Sequence, residues 1–291
     1  MASYDYNLAP KALSEQCADF KKKYPTLDDL PADEYIMMPK YDGCLAIVVA
    51  DDTGHVLTRT GEPVTSIPHV LAQARKLLPG YVIFGEAYKF DTPFKDISGA
   101  FRRHAPQDDL MLVAFDCVPI MAWWAGICNE PYKARLARLR AAWLSTPSDE
   151  IIVAPAADPG DWQGFANCLV AMGGYDGAIL RRADAPWQTG ASKNGEAIKV
   201  KPVQSLDLEV HSWFKGKGKH ANRAGGITVL YRGVQTDVGT GFTDREREEI
   251  AAAGQAPCGI AEVEFMELTA DGKLREPRFK GWRYDKEQPD S

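Results

Sequence analysis

The chain has 291 residues, of which 45% are hydrophobic, 25% charged and 10% aromatic, with a formal net charge of −6. That length accommodates two cores, of about 200 and about 90 residues, and the longest apolar runs, CLAIVVA and LMLVAF, are too short to cross a membrane as helices. The N-terminus has no basic segment followed by an apolar one, so no export signal is expected, and the six cysteines show no C-x-x-C spacing, which argues against a zinc site and fits reduced thiols in a cytoplasm.

In chain order, residues 11–23 have the composition of a short helix, stopped by KKKYP. From residue 35, YIMMPKYDGCLAIVVADDTGHVLTRTG reads as strand, turn, strand, turn, strand. IPHVLAQARKLL is an amphipathic helix; YVIFGEAYKF and LMLVAFDCVPI are strands; PYKARLARLRAAWL is a helix with proline near its start. A helix over 161–172 precedes the strands YDGAILRR and EAIKVKP. Mixed elements with short hairpin connections predict an α+β domain built on antiparallel sheets. After KPVQS the texture changes to short strands joined by glycine turns, with one helix begun by Thr243 and Glu246, a pattern that suggests a small barrel. The boundary falls at 203–206, giving domains 1–203 and 204–291.

In the turn MPKYDG, Lys40 is either an ordinary turn residue or an amine held there to react. Later segments supply what a reactive lysine needs. TRTG puts Arg59 at a strand end, FGE puts Glu86 in an apolar strand, and AFD places Phe115 beside an acid at a strand end. YDG repeats the acid–glycine turn at Asp176, and IKVK sets Lys199 and Lys201 on one face of a strand. Together these groups suit nucleotidyl transfer. An amine attacks an α-phosphate only when neutral, and neighbouring cations lower its pKa while binding the phosphate. Carboxylates at Glu86 and Asp176 could hold Mg²⁺, and Phe115 offers a flat face to a base.

This ordered set (KYDG, TRTG, FGE, AFD, YDGAIL, AIKVKP and the C-terminal REPRFKGWRYDK) resembles the ATP-dependent DNA ligases of the covalent nucleotidyltransferase superfamily, most of all the small phage-type enzymes. The resemblance covers residues 35–286. It implies a nucleotidyltransferase (adenylation) domain followed by an oligonucleotide-binding (OB) fold β-barrel, with ATP and Mg²⁺ (Mn²⁺ as the alternative) as cofactors. The implied activity is sealing of 5′-phosphate/3′-hydroxyl nicks in duplex DNA, as replication, repair and recombination require. Lys40 would carry AMP, Asp42 and Arg59 would contact ribose or the nick, and Phe115 would stack on adenine. Glu86 and Asp176 would serve the metal, and Lys199 and Lys201 the α-phosphate. Arg283, Asp285 and Lys286 would swing over ATP about a joint at Pro202–Asp207. Two positions depart from the family pattern: Asp176 stands where glutamate is common, and Met38 where an acid often reads adenine. The 34 residues before the first strand leave no room for an extra N-terminal DNA-binding domain.

Four basic clusters offset the acidic total, since phosphate binding depends on local charge. Arg102, Arg103, Arg181, Arg182 and the loop carrying Lys215, Lys217, Lys219 and Arg223 are the candidate DNA contacts. The expected partner is nicked duplex DNA, bound by a monomer without membrane association, in a phage or bacterial host cytoplasm and on the nucleoid through DNA. RNA ligation or capping, and a non-catalytic nucleic-acid binder, are the competing readings.

Overall fold

The computed structural model describes residues 13–19, 29–157, 162–201, 204–269 and 271–290. The chain divides into two compact units, Met1–Lys201 and Pro202–Ser291.

In the N-terminal unit, β1 (Glu15–Gln16) and β2 (Ala18–Asp19) precede β3 (Tyr35–Tyr41), β4 (Cys44–Val49), β5 (His55–Leu57), α1 (Pro68–Leu77), β6 (Tyr81–Tyr88) and α2 (Phe94–Phe101). Then come β7 (Met111–Pro119), α3 (Ile120–Ala125), β8 (Ile127–Cys128), α4 (Tyr132–Ser145), β9 (Ile151–Val153) and α5 (Trp162–Met172). The unit ends with β10 (Tyr175–Arg182), β11 (Trp187–Gln188), β12 (Gly190–Ala191) and β13 (Ala197–Val200). Two sheets dominate, one ordered β5-β4-β6-β7-β9 and the other β2-β13-β10-β3. β4 and β6 are apolar on both faces. Ala46, Val48 and Ile83 pack into the core under α1, α2 and α4, while Ile47, Val49 and Phe84 pack into a second core with Trp123 and Trp187. On α4, Tyr132, Arg135, Leu136 and Leu139 are buried, the spacing of one helical face.

Two expectations are corrected. The described part of 11–23 is not helical: β1 pairs in parallel with β12 and β2 with β13, so pairing with strands far along the chain overrides helix-forming composition; the rest of that stretch lies outside the described residues. Nor do β3 and β4 form a hairpin. β3 pairs with β10 while β4 pairs with β5 and β6, so at Asp42–Gly43 the chain leaves one sheet and enters the other.

The C-terminal unit contains β14 (Gln204–Lys215), β15 (Ala224–Tyr231), β16 (Val234–Val238), α6 (Asp244–Ala253), β17 (Ile260–Phe265) and β18 (Arg278–Trp282), in one antiparallel sheet ordered β16-β15-β14-β17-β18. Among the described residues a single bridge, Thr240 to Arg278, joins its two edges. The capping box of α6 forms as its sequence predicts: the Glu246 N–H donates to Thr243 Oγ1, and the Thr243 N–H donates to Glu246 Oε2. Buried Arg247 donates from α6 to the carbonyls of Ala224, Gly225 and Gly239, tying β15 to the end of β16.

Candidate active site

The site forms where the chain changes sheets. A Cβ on Gly43 would lie 2.5 Å from the Ala87 carbonyl oxygen, so only glycine lets the crossing sit this close to β6. Across from Lys40, the β3–β10 register shifts between Tyr175 and Ala178, leaving Asp176 and Gly177 in a bulge. Gly177 has φ +111°, a conformation that side chains resist. The bulge aims Asp176 at the lysine. Lys40 Nζ donates to Asp176 Oδ2 at 2.5 Å, and Lys201 Nζ stands 3.5 Å from the same oxygen. The Gly174 carbonyl accepts from both the Asp42 N–H and the Tyr88 hydroxyl, stitching the two acid–glycine turns together.

A cavity of about 340 Å³ opens beside Lys40. Its walls come from both sheets and include Glu86, Phe115, Lys199, Arg59 and, from the N-terminal segment, Glu15. Burial, with the Asp42 and Asp176 carboxylates, pushes the Glu86 carboxyl up to about 8 against the opposing pull of Lys40 and the Gly43 N–H. The structure thus gathers Lys40, Arg59, Glu86, Phe115 and Lys199 around one space and sets Lys201 and Asp176 against the lysine.

Arg181 requires a correction. Expected on a DNA-facing surface, it is buried in this cavity wall, where charge partners hold it. Its Nη1 donates to Glu15 Oε2 at 2.6 Å and lies 3.5 Å from Asp116 Oδ2, and its guanidinium stands 5.0 Å from the Phe115 ring centre and 5.3 Å from that of Tyr132. Asp116, expected at a strand end, is instead inside β7 and buried. Arg135 grips it with two bonds, Nε to Oδ1 at 2.9 Å and Nη2 to Oδ2 at 3.0 Å. Sequence reasoning missed Glu15 and Arg135, because each gains its role from a partner distant in the chain.

The carboxylates fit a cation in one respect. Asp176 Oδ1 is buried without a hydrogen-bond partner, beside a Glu86 carboxyl whose charged form is disfavoured. Among the described residues no three acidic, histidine or cysteine groups converge as a cage. Mg²⁺ itself takes one or two carboxylates and completes its shell with water and phosphate oxygens.

In the C-terminal unit Arg283 and Lys286 converge on Asp207, a buried carboxylate that sequence reasoning placed only in the joint. Arg283 Nη1 donates to both Asp207 oxygens at 2.8 and 2.6 Å, and its Nε and Nη2 fork onto Asp285. Arg283 holds the Asp285 carboxyl down at about 2. Lys286 pairs with Asp207 and Asp290. Of the candidate DNA contacts, Arg102, Arg103, Lys215, Lys217 and Lys219 are exposed, and Arg182 pairs with Asp184. Arg223 is spent on Asp244 and Glu248 of α6, anchoring the lysine loop. Among the described residues no helix is long and apolar enough to cross a membrane.

Comparison with known proteins agrees with this architecture. Residues 12–201 match the ATP dependent DNA ligase domain and residues 215–283 the DNA ligase OB-like domain, so the expected fold of an adenylation domain followed by an OB-like domain holds. Similar sequences include the multifunctional non-homologous end joining protein LigD of Mycolicibacterium smegmatis, 26% identical over 290 residues, covering 88% of this chain and 37% of LigD. The DNA ligase of Halobacterium salinarum is 29% identical over 294 residues, covering 85% of this chain and 51% of that protein. The chain thus spans about half or less of the length of these relatives. A solved Lig E DNA ligase shares the fold, with a TM-score of 0.69 at 22% identity over 92% of this chain and 99% of that one.

Proposed function

The chain belongs to the ATP-dependent DNA ligase family, and from that premise we propose that it seals 5′-phosphate/3′-hydroxyl nicks in duplex DNA by way of an AMP carried on Lys40. The observation that carries this reading is the Lys40–Asp176 contact at the wall of a cavity that also holds Glu86, Phe115 and Lys199.

In the first step Lys40 gives its proton to Asp176, to which it is already hydrogen-bonded, and the freed Nζ lone pair attacks the α-phosphorus of ATP. The α–β phosphoanhydride bond breaks and pyrophosphate leaves. Lys199 and Lys201 take the charge that develops on the α-phosphate. Arg283 and Lys286 serve the departing pyrophosphate, exchanging Asp207 for phosphate oxygens. A Mg²⁺ held by Glu86 and Asp176 would neutralise phosphate charge. In the second step an oxygen of the nick's 5′-phosphate attacks the AMP phosphorus, and Lys40 leaves as an amine and regains its proton. In the third the 3′-hydroxyl attacks the 5′-phosphate and expels AMP. Asp42 and Arg59 orient ribose or the nick. Arg102, Arg103, Arg182, Lys215, Lys217 and Lys219 neutralise DNA phosphates. The protein acts as a monomer in a phage or bacterial host cytoplasm, on the nucleoid through its DNA.

The test is intact mass after incubation with ATP and Mg²⁺, followed by sealing of a labelled nick on a denaturing gel. A gain of one AMP and joined DNA are expected. Joining only of RNA strands would move the protein to RNA repair, and no adduct would leave a nucleic-acid-binding module.

A further inference from the structure

Asp176 reaches Lys40 from backbone that stands outside the β3–β10 ladder. It lies in the bulge between Tyr175 and Ala178, where the pairing of the two strands shifts. Just before it come Gly173 and Gly174, with φ of +79° and +80° and no side chains to pack. The handle on this glycine pair is the Gly174 carbonyl, which is held from two directions. The Asp42 N–H donates to it at 3.1 Å from the turn after Lys40, and the Tyr88 hydroxyl donates to it at 3.1 Å from β6. A Cβ on Gly174 would overlap that hydroxyl, so glycine is what admits the contact.

Tyr88 ties one sheet to the other at this point. On β6 it alternates with Ala87 and so stands on the same side as Glu86. Its ring is fixed without help from the hydroxyl. Tyr88 is buried and packs edge-on against Tyr41 with ring centres 5.0 Å apart, and Tyr41 lies 5.1 Å from Tyr175, its partner across β3 and β10. The hydroxyl therefore carries the position of the strand bearing Glu86 over to the backbone bearing Asp176. Attack of an amine on a phosphate tolerates little misplacement, since an error of about 1 Å can cost about 100-fold in rate.

We propose that Tyr88 is a positioning residue for adduct formation: its hydroxyl fixes the Gly173–Gly174 lead-in, which keeps Asp176 on Lys40 Nζ and both in register with Glu86. It acts through the Gly174 carbonyl and not on the reacting atoms, and the inference rests on the reading of Lys40 as the nucleophile. Without the hydroxyl the Gly174 carbonyl keeps only the Asp42 N–H. A glycine pair with one anchor samples more conformations than a pair with two, so fewer molecules hold the productive geometry at any moment.

The experiment follows single-turnover adduct formation on Lys40 by intact mass, over a range of ATP concentrations with Mg²⁺, in the wild type, Tyr88→Phe and Ser66→Ala. Tyr88→Phe keeps the ring and loses only the hydroxyl. Its maximal rate constant should fall by about 10-fold, the equivalent of one hydrogen bond. The ATP concentration giving half-maximal rate should stay within about twofold, and the final yield of adduct should not change. Ser66 is the control. Its buried hydroxyl donates to the Phe101 carbonyl at 2.8 Å, so Ser66→Ala removes a like bond that does not touch the Lys40 turn and should keep the wild-type rate constant. Partial unfolding lowers the yield and leaves the rate constant of the folded molecules as it was. A Tyr88→Phe rate constant within about twofold of wild type overturns the assignment, as does a raised ATP requirement at an unchanged maximal rate, or an equal fall in Ser66→Ala. A wild type that forms no adduct instead overturns the reading of Lys40.

Discussion

At the scale of single residues, Asp176 and Lys40 form a pair in which each makes the other useful. The carboxylate is only 8% exposed and bonds to the amine that, in the proposed first step, loses a proton. Lys40→Ala should abolish the AMP adduct in intact-mass measurements, and Lys40→Arg should do the same, because a guanidinium does not deprotonate. Asp176→Asn should slow adduct formation by about 100-fold or more, the range for a lost proton acceptor, while a rate within threefold of wild type would remove Asp176 from that role. Arg135→Ala is a different kind of change. It strands the 1%-exposed Asp116 without its forked partner, and chemical denaturation should register a loss of about 3–5 kcal/mol. That Lys40, Glu86, Asp176 and Lys199 come together was legible in the sequence from their types and order. Glu15, Asp207 and the true place of Arg181 were not, since their roles come from burial and from partners brought up by tertiary packing.

At the scale of elements, β13 depends on the loop before it. Glu196, at the entry to the strand that carries Lys199, accepts from the Ser192 hydroxyl and the Asn194 N–H. Burial opposes its charge, but those bonds and its own N–H outweigh burial and hold the carboxyl at about 2, below the usual 4.5. A depressed acid stabilises the fold above its unfolded value, so this contribution is full above pH 4.5 and is lost as pH falls towards 2. It amounts to about 3 kcal/mol at most. Glu196→Gln should therefore lower stability at pH 7 and flatten the acid limb of the stability curve between those values; an unchanged limb would show that the loop bonds are not worth this much. The helices α1, α4 and α6 could be read from periodicity, proline position and capping box. β1, β2 and the β3–β4 crossing could not, because two-residue parallel pairings and a change of sheet leave no local periodic mark.

At the scale of the whole molecule, the groups that the proposed reaction assigns to catalysis and to DNA are divided between two units. Arg283 and Lys286 are neutralised by Asp207, Asp285 and Asp290, so their use on pyrophosphate requires exchange of partners. Arg283→Ala should slow adduct formation yet leave sealing of a nick already carrying AMP near wild-type rate. Equal loss of both steps would assign the arginine to DNA instead. The exposed Lys215, Lys217 and Lys219 should each release counterions on binding. Replacing all three with alanine should reduce the slope of log affinity against log salt by about 3, measured on nicked duplex, and an unchanged slope would make the loop a bystander. The division into an α+β domain and a barrel-like one was visible as a change in strand length and glycine content near residue 203. The near-closure of that barrel at Thr240 and Arg278 was not, since a single bridge has no sequence signature.

The most direct test of the central claim is the intact mass of the protein after incubation with ATP and Mg²⁺, beside Lys40→Ala treated in the same way. The proposed chemistry predicts a gain of one AMP on the wild type, located to the peptide bearing Lys40, and none on the variant. An adduct that persists in Lys40→Ala, or none on either protein, would contradict it.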